Sequence, residues 1–112
     1  MQTWTDVVEI GLSLPDVEES TAYRTPALKV AGKLLARLRV ESDGALAVMC
    51  GFDEKAALLA EGDPYYTTPH YDGYGSILID LEKVDVTELT ELLRRAWRVT
   101  APPDLRKRFD QL

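Results

Sequence analysis

Apolar and polar positions change rhythm several times along this chain, and each change predicts an element. Near the N-terminus Val7, Val8, Ile10, Gly11 and Leu14 recur close to helical spacing, behind Thr3 and Thr5, either of which supplies a capping hydroxyl. Pro15 ends that helix, because its ring cannot continue the ladder. Residues 16–25 read as a polar connector, and Pro26 opens extended structure by pushing its predecessor out of the α region. Over residues 27–51 the period shortens to two. Leu34, Ala36, Leu38 and Val40 alternate with Lys33, Leu35, Arg37 and Arg39, which predicts an apolar face and a mixed basic face.

Two turns set the register of these strands. At Gly32 a three-residue loop places Lys29 opposite Lys33 and Leu28 opposite Leu34, whereas a two-residue loop swaps the faces. Asp43-Gly44 is a favoured two-residue hairpin turn and predicts Val40 opposite Ala47 and Leu38 opposite Met49. Leu46 and Val48 then fall beside Arg39, so the basic face is partly apolar and needs cover from the chain's tail or from a partner.

Further on, Asp53 is positioned to cap a short helix through Glu61, closed by Gly62. Residues 65–68 and 76–81 read as two more strands joined by a loop. The last helix has the plainest signature: Asp85 and Glu88 form a capping-box pair, and Leu89, Leu92, Leu93, Ala96, Trp97 and Thr100 make one stripe. Acids open it, arginines close it, and Ala101-Pro102-Pro103 terminates it. The expectation is a single α+β domain over residues 1–112. Its antiparallel sheet has about five strands arranged as β-hairpins, with the N- and C-terminal helices on one face.

A hydrophobic fraction of 46% is enough for a core of that size. No apolar run approaches the roughly 18 residues of a membrane span, and Met1-Gln2-Thr3-Trp4 lacks the start of a signal peptide. One cysteine, Cys50, excludes an internal disulfide and suits a reducing cytoplasm. One cysteine and one histidine do not complete a structural zinc site, so no metal and no cofactor is expected.

The net charge of −6 opposes non-specific binding to phosphates, yet the charges are segregated. Eleven of the thirteen bases lie in residues 20–40 and 94–108. Such segments create a local positive field unless folding pairs them with acids. Lys29, Lys33, Arg37 and Arg39 on the strands, with Arg94 and Arg98 on the last helix, are the candidate anion-binding residues. Glu91 precedes Arg94 and Arg95 by three and four residues and weakens their contribution, whereas Arg98 escapes it.

Candidate chemistry is sparse. His70 sits in Thr68-Pro69-His70-Tyr71-Asp72-Gly73 with no nucleophile motif, and backbone bonds that fix the loop explain it as well as catalysis does. Cys50 has no cationic neighbours in sequence to activate its thiol. Glu18-Glu19 and Asp53-Glu54 suit solvation and capping, and Gly73-Tyr74-Gly75 lacks the lysine and helix of a phosphate loop. Tyr65, Tyr66, Tyr71 and Tyr74 crowd one region, where exposed rings could stack on a ligand. His70, Tyr71 and Tyr74 are therefore the ligand-loop candidates. No residue is assigned as catalytic, and the chain is not expected to be an enzyme.

Several segments resemble one family in order and spacing over nearly the whole chain. They are Leu14-Pro15-Asp16-Val17-Glu18-Glu19, then Ala27-Leu28-Lys29-Val30-Ala31-Gly32-Lys33-Leu34-Leu35-Ala36-Arg37-Leu38, Pro69-His70-Tyr71-Asp72-Gly73-Tyr74, and Ala96-Trp97-Arg98 with Ala101-Pro102. Together they are similar to the MmcQ/YjbR family. That resemblance implies a small CyaY-like α+β domain, a "double wing" of two β-hairpins, and a DNA-binding role inferred from fold. It carries over no catalytic residue. Two functions stay open: a nucleic-acid-binding accessory or regulatory protein using the positive segments, or a non-catalytic module for a protein or small-molecule ligand.

Overall fold

The structure is a computed structural model and describes residues 1–110. The chain runs α1 (Trp4–Leu12), β1 (Val17–Ala22), β2 (Thr25–Val30), β3 (Lys33–Leu38), β4 (Leu46–Met49), α2 (Phe52–Glu61), β5 (Tyr65–Tyr66), β6 (Ser76–Ile79), α3 (Val86–Thr100) and α4 (Pro103–Asp110). Among the described residues the strands form one antiparallel sheet in the order β1-β2-β3-β4-β6-β5. The α+β class is as predicted, with a sixth strand and a fourth helix added.

The extra strand, β1, occupies the expected polar connector. Ala22 pairs with Thr25, so Tyr23 and Arg24 alone make the turn into β2. Both are left-handed, at φ 54° and 63°, a conformation usually left to Gly or Asn. As an edge strand, β1 keeps Glu18 and Glu19 exposed, which discourages pairing with another chain. The extra helix begins at the proline pair expected only to stop α3. Pro103 takes the first position of α4, where a missing N–H leaves no bond unmade, and Leu105 is buried. Thr3 and Asp85 cap α1 and α3 as read from sequence. Asp53 does not cap α2. That helix starts at Phe52 behind Gly51, which leaves Asp53 inside the first turn.

At Gly32 the shorter of the two loops forms, and the register after Asp43-Gly44 differs from expectation. Ala31 and Gly32, at φ 49° and 82°, form a two-residue turn with Val30 opposite Lys33. That turn would invert β3, but the pairing slips by one residue between Lys29–Leu34 and Leu28–Ala36. Leu35 is the extra residue, and Leu35 and Ala36 both enter the helix-side core. Lys33 consequently does not share a face with Arg37 and Arg39; it lies by Val99 and Thr100 of α3. The Asp43-Gly44 two-residue hairpin is also replaced. Leu38 pairs with Leu46 and Arg37 with Ala47, so Leu46 and Val48 turn into the core rather than beside Arg39. Residues 40–44 form a five-residue loop closed by Arg39 N–H on Ala45 O at 2.9 Å.

The main core lies between one sheet face and the helices. It joins Val7 of α1 to Leu28, Val30, Leu46, Val48, Ile77 and Ile79 of the sheet and to Leu89, Leu92, Leu93 and Ala96 of α3. Trp97 completes the α3 stripe at 1% exposure, and its indole Nε1–H donates to Pro15 O at 2.9 Å. On the opposite face Ala47, Leu78 and Tyr71 form a small second cluster with Tyr66 against it. The alternation of β4 and β6 side chains assigns these two clusters to opposite sides.

Candidate functional site

The second face is covered on one side only, by the loop over residues 67–75. Tyr71 is buried there against Ala47 and Leu78. The loop is held by Lys55 of α2, a residue 4% exposed. Its ammonium donates to Tyr71 O at 2.5 Å, Tyr74 O at 2.6 Å and, at longer range, Asp72 O at 3.4 Å. A buried cation bonded to carbonyls fixes backbone rather than a partner side chain, so the path of the loop is set from below.

Tyr71 in turn reaches Arg37 on β3. Arg37 is only 7% exposed. Its Nη2 donates to the Tyr71 hydroxyl at 2.6 Å, and its Nη1 donates to Glu41 Oε2 at 2.8 Å and Thr25 Oγ1 at 3.2 Å. Thr25 spends its own proton on Ala22 O at 2.7 Å, leaving a lone pair for the guanidinium. The Tyr23 ring lies over Arg37 at 5.4 Å. Burial alone would lower the Arg37 pKa, but the bonds to Glu41 and Tyr71 outweigh it and leave it above its ordinary value. The same bond to Arg37 holds the Glu41 carboxyl below its ordinary value. A guanidinium carries five N–H donors. Among the described residues the Nε–H and one Nη2–H of Arg37 have no acceptor.

Between Tyr23 and the loop lies a cleft of about 480 Å³. Leu34, Ala47, Met49 and Ser76 form its floor, His70, Tyr71 and Tyr74 one wall, and Arg37 with Glu41 its charged end. Clefts of about 300–1,000 Å³ with apolar lining and few polar groups are typical of small-molecule sites. Just beyond Leu34 and Met49 the surface continues to exposed Phe52 and Val99.

The residues singled out from sequence are thus divided. His70, Tyr71, Tyr74 and Arg37 meet in the cleft. Arg39 stands next to it, its guanidinium 5.1 Å from the Tyr71 ring centroid, donating to Asp43 at 3.2 Å and Ser42 at 3.2 Å. Asp43 also accepts from the Tyr66 hydroxyl at 2.5 Å. Burial works to raise the Asp43 carboxyl, but the bonds from Tyr66 and Ala45 leave it below its ordinary value. Lys29 lies directly across from Glu18. Arg94 and Arg98 are exposed on α3, on the helix side of the sheet, and Arg98 is bound to Asp110 at 2.7 and 2.8 Å. Arg95 pairs with Glu54 of α2 at 2.9 Å, not with Glu91. The expected basic strand face is not formed: Arg37 is buried and paired, Arg39 is paired, and Lys33 points to the other side.

Lys55, Tyr23 and Glu41 were not identified from the sequence as site residues. Lys55 carried a signal, since it precedes Leu58 by one helical turn and so shares the buried stripe of α2. His70 is exposed, edge-on to Tyr71 at 5.1 Å and tilted to Tyr74 at 6.0 Å. Among the described residues no acid or nucleophile is hydrogen-bonded to it. Burial pushes the Cys50 thiol up to about 11, which keeps it protonated and unreactive at neutral pH. No group of three or more His, Cys, Asp or Glu side chains among the described residues could hold a metal ion. No described helix is long and apolar enough to cross a membrane.

The YjbR family profile matches residues 12–99, a span that contains every residue lining the cleft. The chain belongs to the YjbR family. Relatives from Mycobacterium bovis and Mycobacterium tuberculosis, named only as uncharacterized proteins, are each 35% identical over 124 residues. The matches cover 97% of this chain and 96% of each relative. No solved structure matches the chain significantly. Family membership therefore comes without a ligand, and the chemistry of the cleft must supply one.

Proposed function

We propose that this YjbR-family chain is a non-catalytic small-ligand-binding module and that the cleft above Arg37 is its site. One observation carries the reading: a buried guanidinium with two untaken N–H donors ends an otherwise apolar, aromatic-walled cleft. Among the described residues Thr68 Oγ1 is the one enclosed polar side-chain atom without a partner, so the Arg37 Nε–H meets solvent in the cleft, where an incoming acceptor takes the place of water. The absence of catalysis is supported by the isolation of His70 and by the raised Cys50 thiol.

A nucleic-acid role has less support. Phosphate binding needs unpaired bases on one surface, whereas Arg37, Arg39, Arg95 and Arg98 each hold a carboxylate on a chain of net charge −6.

The chain has two methionines, which makes the test simple. Met49 lies in the cleft floor and Met1 is 82% exposed elsewhere, so ¹³C-methyl labelling gives a site probe and an internal control. Small aromatic acids, alcohols and amines at millimolar concentration should shift Met49 saturably and leave Met1 in place. Shifts of neither methyl, or of both in parallel, would remove the cleft as a site.

A further inference from the structure

Resting on the cleft as the binding site, we infer that its ligand class is a small monocarboxylate with an aromatic body, and that Glu41 is a tethered stand-in for the ligand's carboxylate. Glu41 belongs to no strand or helix. It sits in the exposed loop over residues 40–44 and swings back four residues to reach Arg37 Nη1 at 2.8 Å. The two partners differ sharply in burial: the Arg37 side chain is 9% exposed and that of Glu41 is 50% exposed. Because Glu41 is half exposed, water takes up its carboxylate once another anion replaces it at Arg37, and the exchange costs no more than about 1 kcal/mol. The guanidinium stays charged at any physiological pH and, left alone in its buried position, would be strongly unfavourable. An anion can therefore replace Glu41 at Arg37, whereas a neutral molecule must leave that pair in place and forgo the charged end of the cleft.

The charge count narrows the anion. Among the described residues Arg37 is the one guanidinium or ammonium lining the cleft, with the His70 imidazole on its wall, while Arg39 beside it is engaged by Asp43 and by the face of Tyr71. One cation already balanced by one carboxylate suits a monoanion in exchange. A phosphate dianion would sit with a single guanidinium and near Glu41. The rest of the ligand must suit Leu34 and Met49 below and the rings of Tyr23 and Tyr74 at the sides. Tyr rings stack on planar groups with an energetic gain beyond that of burial alone. A body of one or two fused rings answers both requirements.

The experiment compares 2-naphthoate, its neutral isostere 2-naphthylmethanol and 2-naphthyl phosphate, each titrated against the Met49 methyl signal. The proteins are the unaltered chain and Glu41→Gln, an exposed loop change whose fold is checked by its melting curve. The expected result is that Glu41→Gln binds 2-naphthoate about two- to fivefold more tightly than the unaltered chain, with the alcohol unchanged and the phosphate no tighter than the naphthoate. Arg37→Lys should reduce the preference for naphthoate over the alcohol without abolishing binding of either. Equal binding of naphthoate and alcohol to both proteins would overturn the ligand class while leaving the cleft as a site. Tighter binding of the phosphate, or no gain in Glu41→Gln, would overturn the stand-in role. Silence of Met49 toward all three would overturn both the inference and the site beneath it.

Discussion

Replacing Lys55 by Met tests how the site is built, because it keeps the aliphatic stem and removes only the ammonium. Two of its bonds are short, 2.5 Å to Tyr71 O and 2.6 Å to Tyr74 O, and the third is weak. Hydrogen bonds to a charged group contribute about 1.5–3 kcal/mol each, giving a gross loss of about 3–6 kcal/mol. Two effects reduce it. Asp72 and Tyr74 are exposed residues whose carbonyls can take up water, and removing a buried charge also removes its desolvation cost. A net loss of about 2–3 kcal/mol remains. With a urea dependence of about 1–3 kcal/mol per molar, the unfolding midpoint should fall by roughly 1–2 M at unchanged slope. Amide exchange should also quicken over residues 67–75, since the loop loses its anchor before the core does. An unchanged or raised midpoint would mean that the buried ammonium is a net cost and that something else positions the loop.

Trp97→Ala should cost about 3–5 kcal/mol, because it empties a fully enclosed site and frees Pro15 O; a urea-derived loss below about 1 kcal/mol would contradict the packing of α3. Arg24→Gly should raise stability by about 0.5–1 kcal/mol, since relief of a left-handed arginine exceeds the added freedom of the unfolded chain, and a lower melting temperature would refute the strained turn. Glu41 has a folded pKa below the ordinary 4.5, chiefly through its bond to Arg37, so its contribution is present above that value and lost as pH falls through the folded pKa. Urea midpoints measured from pH 6 down to pH 3 should therefore fall less steeply in Glu41→Gln than in the unaltered chain, and parallel curves would show that the pair contributes nothing.

Elements governed by one strong periodicity were legible in the sequence. The stripe of α3 from Leu89 to Trp97 and the caps at Thr3 and Asp85 appear as read. What failed depended on competition between local signals and the rest of the chain. Tyr23-Arg24 gives no turn signal, because neither residue favours the left-handed region, so β1 was hidden as a connector. Leu35 could not be recognised as a bulge, since its hydrophobicity fits either face and only the tight Ala31-Gly32 turn requires the slip. Asp43-Gly44 promised a two-residue hairpin, but the register that buries Leu46 and Val48 in the main core wins, and the longer loop it requires lets Glu41 and Asp43 fold back on Arg37 and Arg39. The expected basic face is undone by the Leu35 bulge, which turns Lys33 away, and by the pairing of Arg37 and Arg39. The loop residues His70, Tyr71 and Tyr74 are legible as a group, whereas the sequence marks Arg37 only as one anion-binding candidate on a mixed strand face and not as the buried end of their cleft.

The central claim is that Arg37 keeps donors for a ligand, and the side-chain Nε–H resonance of Arg37 reports on one of them directly. In a ¹⁵N-labelled sample, adding 2-naphthoate should shift that resonance saturably and in step with the Met49 methyl. Adding duplex DNA of about 20 base pairs at low salt should leave it unmoved. The opposite pattern, with DNA shifting the Arg37 Nε–H or the strand residues around Lys29 and no small acid doing so, would contradict the account.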